Sequence, residues 1–365
     1  MNQTVYFLLS LFYIGMLTAF ALITPRATRA QLLFGVQVDL QTLPADLPLR
    51  LRRRWDMGII AIALVALAVS LATMSRANPA WLVVQIMICL VGEFAFFLYL
   101  RRAALPFAAA PSHLRPVELP MLRYRDIVPP ILEALPALIF LSMIALTVIF
   151  YPALPDRIPM HFGFDGTPDR WDVKSSVNVS LTLIPALVMY ALLTLTAAWV
   201  PRSSRLATSP SLRQSLEARR HFVVALSWYL YVVKVLVLIL LAVVQMAIFG
   251  VALGWGNPIR FALALSVVIA GVSVAGAIYL AVRLGQGGNR EMPVDHEKLE
   301  GAAADERHWR LGVFYYNPAD PALFVEKRFG IGLTVNFANR KAWWLAVLLM
   351  ALIVLPLLVA LAHGH

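Results

Sequence analysis

Eight runs of about 20 apolar residues divide this chain, at about 4–23, 57–75, 80–100, 131–150, 177–199, 226–249, 259–282 and 343–361. A helix of about 20 residues crosses the roughly 30 Å hydrocarbon layer of a bilayer. Inside that layer no water bonds the backbone, so each run has to close its own hydrogen bonds as a helix. The composition agrees: 60% of the 365 residues are hydrophobic and 14% are charged, where a soluble domain carries roughly 25% charged residues. The fold expected is an all-α polytopic membrane protein with about eight transmembrane helices and a small β-rich cytoplasmic element before the last helix.

The connections between runs set the orientation. Their Lys and Arg counts are six, one, five, three, five, none and nine in chain order. Cytoplasmic connections carry the basic residues, so both termini are expected outside, with residues 151–176 on the outer face. The net charge of +11 then belongs to the cytoplasmic loops, and no direct nucleic-acid binding is expected. The first run has neither a basic flank before it nor a small-residue cleavage pattern, which reads as a retained helix. Tyr and Trp stand at many run ends (Trp55, Trp81, Tyr99, Tyr151, Trp199, Trp255), where an amphipathic ring favours the headgroup level. The single cysteine, Cys89, excludes a disulfide within the chain and a cysteine-based metal site.

One connection has unusual chemistry. Between Tyr151 and Trp171, four prolines (Pro152, Pro155, Pro159, Pro168) rule out a continuous helix, and Asp165-Gly166 is a turn pair. The segment reads as a structured loop docked on the ends of the flanking helices, through Leu154, Ile158, Met160, Phe162, Phe164 and Trp171. Asp156, His161, Asp165, Asp169 and Trp171 are its candidate ligand-binding residues. An imidazole with carboxylates suits Zn²⁺ or Mn²⁺, which would use His161, Asp165 and Asp169. The same residues also serve as turn caps, the commoner use of Asp beside Gly or Pro. No cofactor is expected.

The seventh connection changes character along its length. Gly285–Glu306 is Gly-rich and charged and reads as a flexible linker. From His308 to Asn339 short β-prone stretches recur at 313–316, 323–325 and 331–337, broken by Asn317-Pro318. Its candidate site residues are Trp309, Tyr315, Tyr316, Asn317, Asp320, Lys327 and Asn336. A short interfacial segment is expected near Leu32–Val38. The chain divides into 1–130, 131–200, 201–283, a linker 284–307, the β-rich element 308–342 and the last helix 343–365.

Two charges fall inside runs. An isolated charge at the bilayer centre costs about 3 kcal/mol on insertion scales. Glu93 and Lys234 lie at similar depths from the cytoplasmic side, which predicts a buried pair between the third and sixth helices. The alternative is that Lys234 reaches the interface alone. Gln85 and Gln245 read as packing residues.

The pattern Tyr151-Pro152, Leu154-Pro155-Asp156, Ile158-Pro159, His161-Phe162, Gly166, Pro168-Asp169 and Trp171 resembles the extracytoplasmic loop of a bacterial membrane family that includes the SdpI-type immunity proteins. The segment Trp309–Trp344, with Gly312, Tyr315-Tyr316-Asn317-Pro318, Asp320-Pro321, Lys327, Gly330, Gly332 and Asn336-Phe337, resembles a second uncharacterised domain of such proteins. This chain has N-terminal helices and a cytoplasmic element that compact SdpI-type proteins lack. The resemblance implies a multi-pass protein of the bacterial inner membrane. It also implies binding, immunity or envelope-stress signalling toward a membrane-active peptide toxin or envelope ligand. The implied partners are the lipid bilayer, that ligand outside, and a cytoplasmic protein. A small-solute transporter or channel and a metal-dependent membrane hydrolase are the alternatives. No phosphate-binding Gly loop, His-Glu-x-x-His or Gly-x-Ser-x-Gly pattern is present. The basic-loop alternation predicts that cysteines placed at Ser176 and Ser211 react with impermeant reagents from opposite sides of the membrane; labelling from one side contradicts it.

Overall fold

The computed structural model describes residues 3–39, 43–76, 78–109, 122–163, 166–203, 212–285, 288, 306–320, 323–330, 332–344, 346–347 and 350. In chain order the elements are α1 (Gln3–Ala27), β1 (Leu32–Leu33), β2 (Val36–Gln37), α2 (Leu47–Thr73), α3 (Pro79–Ala104), α4 (Tyr124–Ile127) and α5 (Ala134–Phe150). They continue with β3 (Arg157–Phe162), β4 (Pro168–Val173), α6 (Ser176–Ser180), α7 (Leu183–Trp199), α8 (Leu212–Ala252) and α9 (Ile259–Leu284). Last come β5 (Trp309–Arg310), β6 (Phe314–Tyr315), β7 (Phe324–Glu326) and β8 (Leu333–Val335). Among the described residues, seven helices are long and apolar enough to cross a membrane, one on each of the first seven apolar runs. The chain is an all-α multi-pass membrane protein with small β hairpins. Helical residues 340–344 open the eighth run; much of the rest of that run lies outside the described residues, as does nearly all of the linker.

The chain forms two compact units. One comprises Met1–Met121, Arg202–Val224 and Ala277–Ala342; the other comprises Leu122–Pro201, Ala225–Gly276 and Trp343–His365.

In the first unit α1, α2 and α3 pack together. Asn78 caps α3, its side chain accepting from Ala80 N at 2.9 Å, with Pro79 in the first turn. The helices are joined by polar contacts at both ends. The Tyr6 hydroxyl lies 2.6 Å from Thr73 Oγ1 and accepts from Gln85 Nε2 at 2.6 Å. The Trp55 indole donates to Ala21 O at 2.8 Å. Such interhelical bonds contribute on the order of 1 kcal/mol each in a membrane, and Gln85 is a packing residue as its sequence context suggested.

At the end of this bundle bearing Arg101, the sheet elements close over the helices. β1 and β2 form a hairpin whose turn, Phe34-Gly35, has positive φ at both residues (48° and 74°). Hairpins favour such turns because their twist matches the strands, and a bulky residue there is strained. Phe34 is held by what its ring touches: it lies 5.5 Å from Phe329 and 5.6 Å from Trp55, while Phe329 lies 4.7 Å from Phe97. The Leu32–Val38 segment is thus a hairpin that joins the helix core. β5 pairs with β6 and β7 with β8, and a bridge from Tyr315 to Asn336 links the two hairpins. β6, β7 and β8 fall on the expected β-prone stretches, whereas β5 at Trp309–Arg310 lies before the first of them.

One carboxylate fastens this element to the bundle. Glu306 accepts from both Arg101, on α3, and Arg328, and both arginines are buried. Arg328 also lies over the Trp309 ring at 5.1 Å, and Gly330 N donates to Thr28 Oγ1 at 2.9 Å. Gly35 and Gly312 meet the Arg101 guanidinium: a Cβ at Gly312 (φ 74°) would lie 2.5 Å from its Nη1. Gly312→Ala imposes that overlap and a strained φ costing about 1–3 kcal/mol. Its Tm in detergent should fall, whereas Gly15→Ala in α1, where a Cβ meets nothing within 4 Å, should hold or gain. Equal melting of both variants contradicts this docking.

Candidate functional site

The 151–176 connection belongs to the second unit and is a β hairpin. Along β3, Ile158, Met160 and Phe162 pack inward and Pro159 is buried too, while Arg157 and His161 are exposed. Ile158 and Met160 join Leu154, Val179 and Phe249 in one cluster, and Phe162 packs against Ala247, Ile259 and Ala262. The platform is therefore larger than the ends of the two flanking helices: the end of α8 and the start of α9 supply much of it. The tip is held there too. Asn257 Nδ2 donates to Gly166 O at 2.7 Å, and Gly166 (φ 78°) rests on Arg260. At the other end Lys174 Nζ donates to Leu154 O at 2.6 Å and stands 5.4 Å above the Tyr151 ring. Ser175 caps α6, accepting from Asn178 N at 3.1 Å.

The prolines did not prevent strands. Pro168 opens β4, where a missing N–H costs nothing, and Pro159 sits at a register shift. Across the hairpin His161 Nδ1 lies 2.5 Å from Asp169 Oδ1, both side chains exposed. Asp156 is exposed. Trp171, expected as an apolar anchor, is also exposed on β4: the Pro159↔Trp171 pairing sets it beside β3 on a strand that is largely solvent-facing. Asp165 and Phe164 lie outside the described residues. Among the described residues no three His, Cys, Asp or Glu side chains gather as a metal site. What the hairpin presents is an imidazole–carboxylate pair, an exposed indole and, among the described residues, an edge strand paired with β3 alone.

Lys234 is fully buried on α8, and the acid beside it is Glu133, not Glu93. Its Nζ donates to Glu133 Oε2 at 2.6 Å and to Thr194 Oγ1 at 3.3 Å. Tyr231, Tyr190 and Tyr124 surround it with ring centres 5.6, 5.9 and 6.0 Å away. Tyr124 donates to Glu133 Oε1 at 2.8 Å and Tyr231 to Leu132 O at 2.9 Å. Burial, then the Glu133 carboxylate, push the Tyr124 phenol above its usual range, so it stays a donor. Depth alone suggested Glu93, but a lysine stem reaches several ångströms along the helix toward the end of the span, and Glu133 stands in the turn just before α5. Glu93 is half-buried in the other unit.

In the first unit most of the candidate residues of the β-rich element form its interior. Trp309, Tyr315, Asn317 and Asn336 are buried. Tyr315 donates to Asp320 Oδ2 at 2.9 Å; Asn336 Oδ1 accepts from Asn317 N at 3.1 Å and its Nδ2 donates to the Asn317 and Asp320 carbonyls at 2.9 Å. Burial and the Asp320 carboxylate raise the Tyr315 phenol well above its ordinary range. A network this complete holds the turn at 316–320 in place of β ladders. Tyr316 and Lys327 are exposed.

Residues 138–189 match the model described as a domain of unknown function (DUF1648), and residues 318–343 match a family of unknown function (DUF5808). The first match takes in most of α5, the whole hairpin, α6 and the start of α7. No curated protein and no solved structure matches the chain.

The Glu133–Lys234 contact predicts strong coupling. Removing one partner of a buried pair costs about 3–5 kcal/mol, so Glu133→Gln and Lys234→Met should each lower the resistance to unfolding. The double variant should lose less than their sum, by about 0.5–3 kcal/mol. With Glu93→Gln in place of Glu133→Gln, the losses should add. Additive losses in the first cycle contradict the pair.

Proposed function

We propose that the chain is an SdpI-like protein of the bacterial inner membrane that binds a membrane-active peptide or envelope ligand on its outer hairpin, in an immunity or envelope-stress role. The supporting observation is the division of labour in that hairpin. One face is spent on docking, through Ile158, Met160 and Phe162, while β4 offers an exposed strand edge with Trp171 and Val173. An extended peptide adds to such an edge through main-chain bonds and is selected by neighbouring side chains. The His161–Asp169 pair supplies polar selectivity and Trp171 a rigid apolar contact. Both chain ends lie outside in this arrangement, on the same face as the hairpin, and the Arg-rich ends of α1–α3 face the cytoplasm. The three tyrosines, Glu133 and Thr194 already engage Lys234, which supports a packing role for that site over a transport path.

The chain made in a sensitive bacterium should raise the dose of a membrane-active peptide needed to kill it. His161→Ala, Asp169→Ala and Trp171→Ala should abolish that gain with the Tm unchanged. Ile158→Ala should instead lower stability by about 2–5 kcal/mol. No protection by the intact chain across a panel of such peptides, or full protection by all three surface variants, would sink the proposal.

A further inference from the structure

A leucine under backbone strain points to a second surface. The turn joining β5 to β6 holds Leu311 at φ 52° beside Gly312 at φ 74°. A left-handed leucine costs on the order of 1–3 kcal/mol and persists where something else over-determines it. Phe34, its counterpart in the β1–β2 turn, is held by a buried ring. Leu311 has no such hold: it is 52% exposed, and Phe314 and Tyr316, which flank buried Tyr315, are 43% and 48% exposed. The hairpin thus turns two aromatic residues, Trp309 and Tyr315, into its own core and leaves Leu311, Phe314 and Tyr316 largely exposed, the Phe314 ring meeting that of Phe337 edge-on at 5.7 Å.

The level of this patch in the membrane follows from contacts within the same unit. Gly312, next to Leu311, rests on the guanidinium of Arg101. Arg101 is three residues from the end of α3 at Ala104, about 4.5 Å of helix rise. The patch therefore stands where a membrane span ends. Exposed arginines share that level: Arg102 on α3, Arg310 on β5, and Arg53 and Arg54 in the opening turns of α2. Aliphatic and aromatic side chains among cations, at the end of a span, match the boundary between acyl chains and anionic headgroups.

We infer that the β5–β6 hairpin is an interfacial anchor. Leu311, Phe314 and Tyr316 enter the headgroup boundary of the leaflet bordering the Arg101 end of α3, and Arg102 and Arg310 meet the phosphates of anionic phospholipid. The anchor holds the C-terminal element against the bilayer from one side while the Glu306 clamp holds it from the other. It is independent of what binds the 151–176 hairpin.

The test uses the full chain with Cys89→Ser and Tyr316→Cys, carrying an environment-sensitive fluorophore at position 316. It is reconstituted into phosphatidylcholine vesicles with or without phosphatidylglycerol, and lipids spin-labelled near the headgroup act as quenchers. The expected result is blue-shifted emission quenched by those lipids, more strongly with phosphatidylglycerol. Arg102→Gln with Arg310→Gln should remove the phosphatidylglycerol dependence. Leu311→Asn should reduce quenching while leaving the Tm in detergent unchanged or higher, because asparagine tolerates the left-handed region. If the position 316 label perturbs folding, the same label at Phe314→Cys replaces it. A label that stays in water in both vesicles overturns the inference, as does quenching indifferent to phosphatidylglycerol and to the arginines. Burial through self-association, read as energy transfer between labelled copies, overturns it as well.

Discussion

Hydrocarbon gives a backbone nothing to bond but itself, and the architecture follows from that constraint. The apolar runs become helices, and everything non-helical is expelled to their ends. There it meets a second requirement: a short β hairpin is barely stable alone in water. Each hairpin is therefore fixed by what it docks on. The 157–173 hairpin uses Ile158, Met160 and Phe162 against α8 and α9. The β1–β2 hairpin and the C-terminal strands share an aromatic cluster of Phe34, Trp55, Phe97 and Phe329.

Charge completes the docking in both units. Glu306 joins Arg101 to Arg328, and Glu133 joins Lys234 to Tyr124. Buried ions are expensive unless their hydrogen bonds are filled, and both sites fill most of theirs. Arg101 Nη1 is the exception; it is packed closely against Gly35 and Gly312. The result in each case is a connecting segment tied to helices far from it in sequence. Such ties explain why residues 306–337 form part of the same unit as the first three helices.

Much of this was legible in the residues. Run length and low charge marked the helices, and the β-prone stretches near 313, 323 and 331 marked three of the four C-terminal strands, β5 at Trp309–Arg310 being missed. The prolines of 151–171 hid a hairpin, because the alternation of Ile158, Met160 and Phe162 was legible only as apolar anchoring. Partners set by tertiary reach were hidden too. Glu133 sits two residues inside an apolar run, and Glu306 closes a stretch that reads as linker, so neither announces the cation it serves. Tyr315, Asn317, Asp320 and Asn336 are a cluster of chemistry-bearing side chains that bond one another and the adjoining turn backbone. His161 and Asp169 were two of several candidates in one loop, with Asp156 and Asp165, and the hairpin sets these two within 2.5 Å of each other.

Amide hydrogen–deuterium exchange on the full chain in lipid nanodiscs bears most directly on the claim that the 157–173 hairpin and the C-terminal strands are folded and fixed to helix ends. The ladder-bonded strand amides of β3, β4, β6, β7 and β8 should exchange far more slowly than the amides of 289–305, a stretch of linker-like composition. Exchange at the linker rate in either element would show that it is not docked, and would contradict the account.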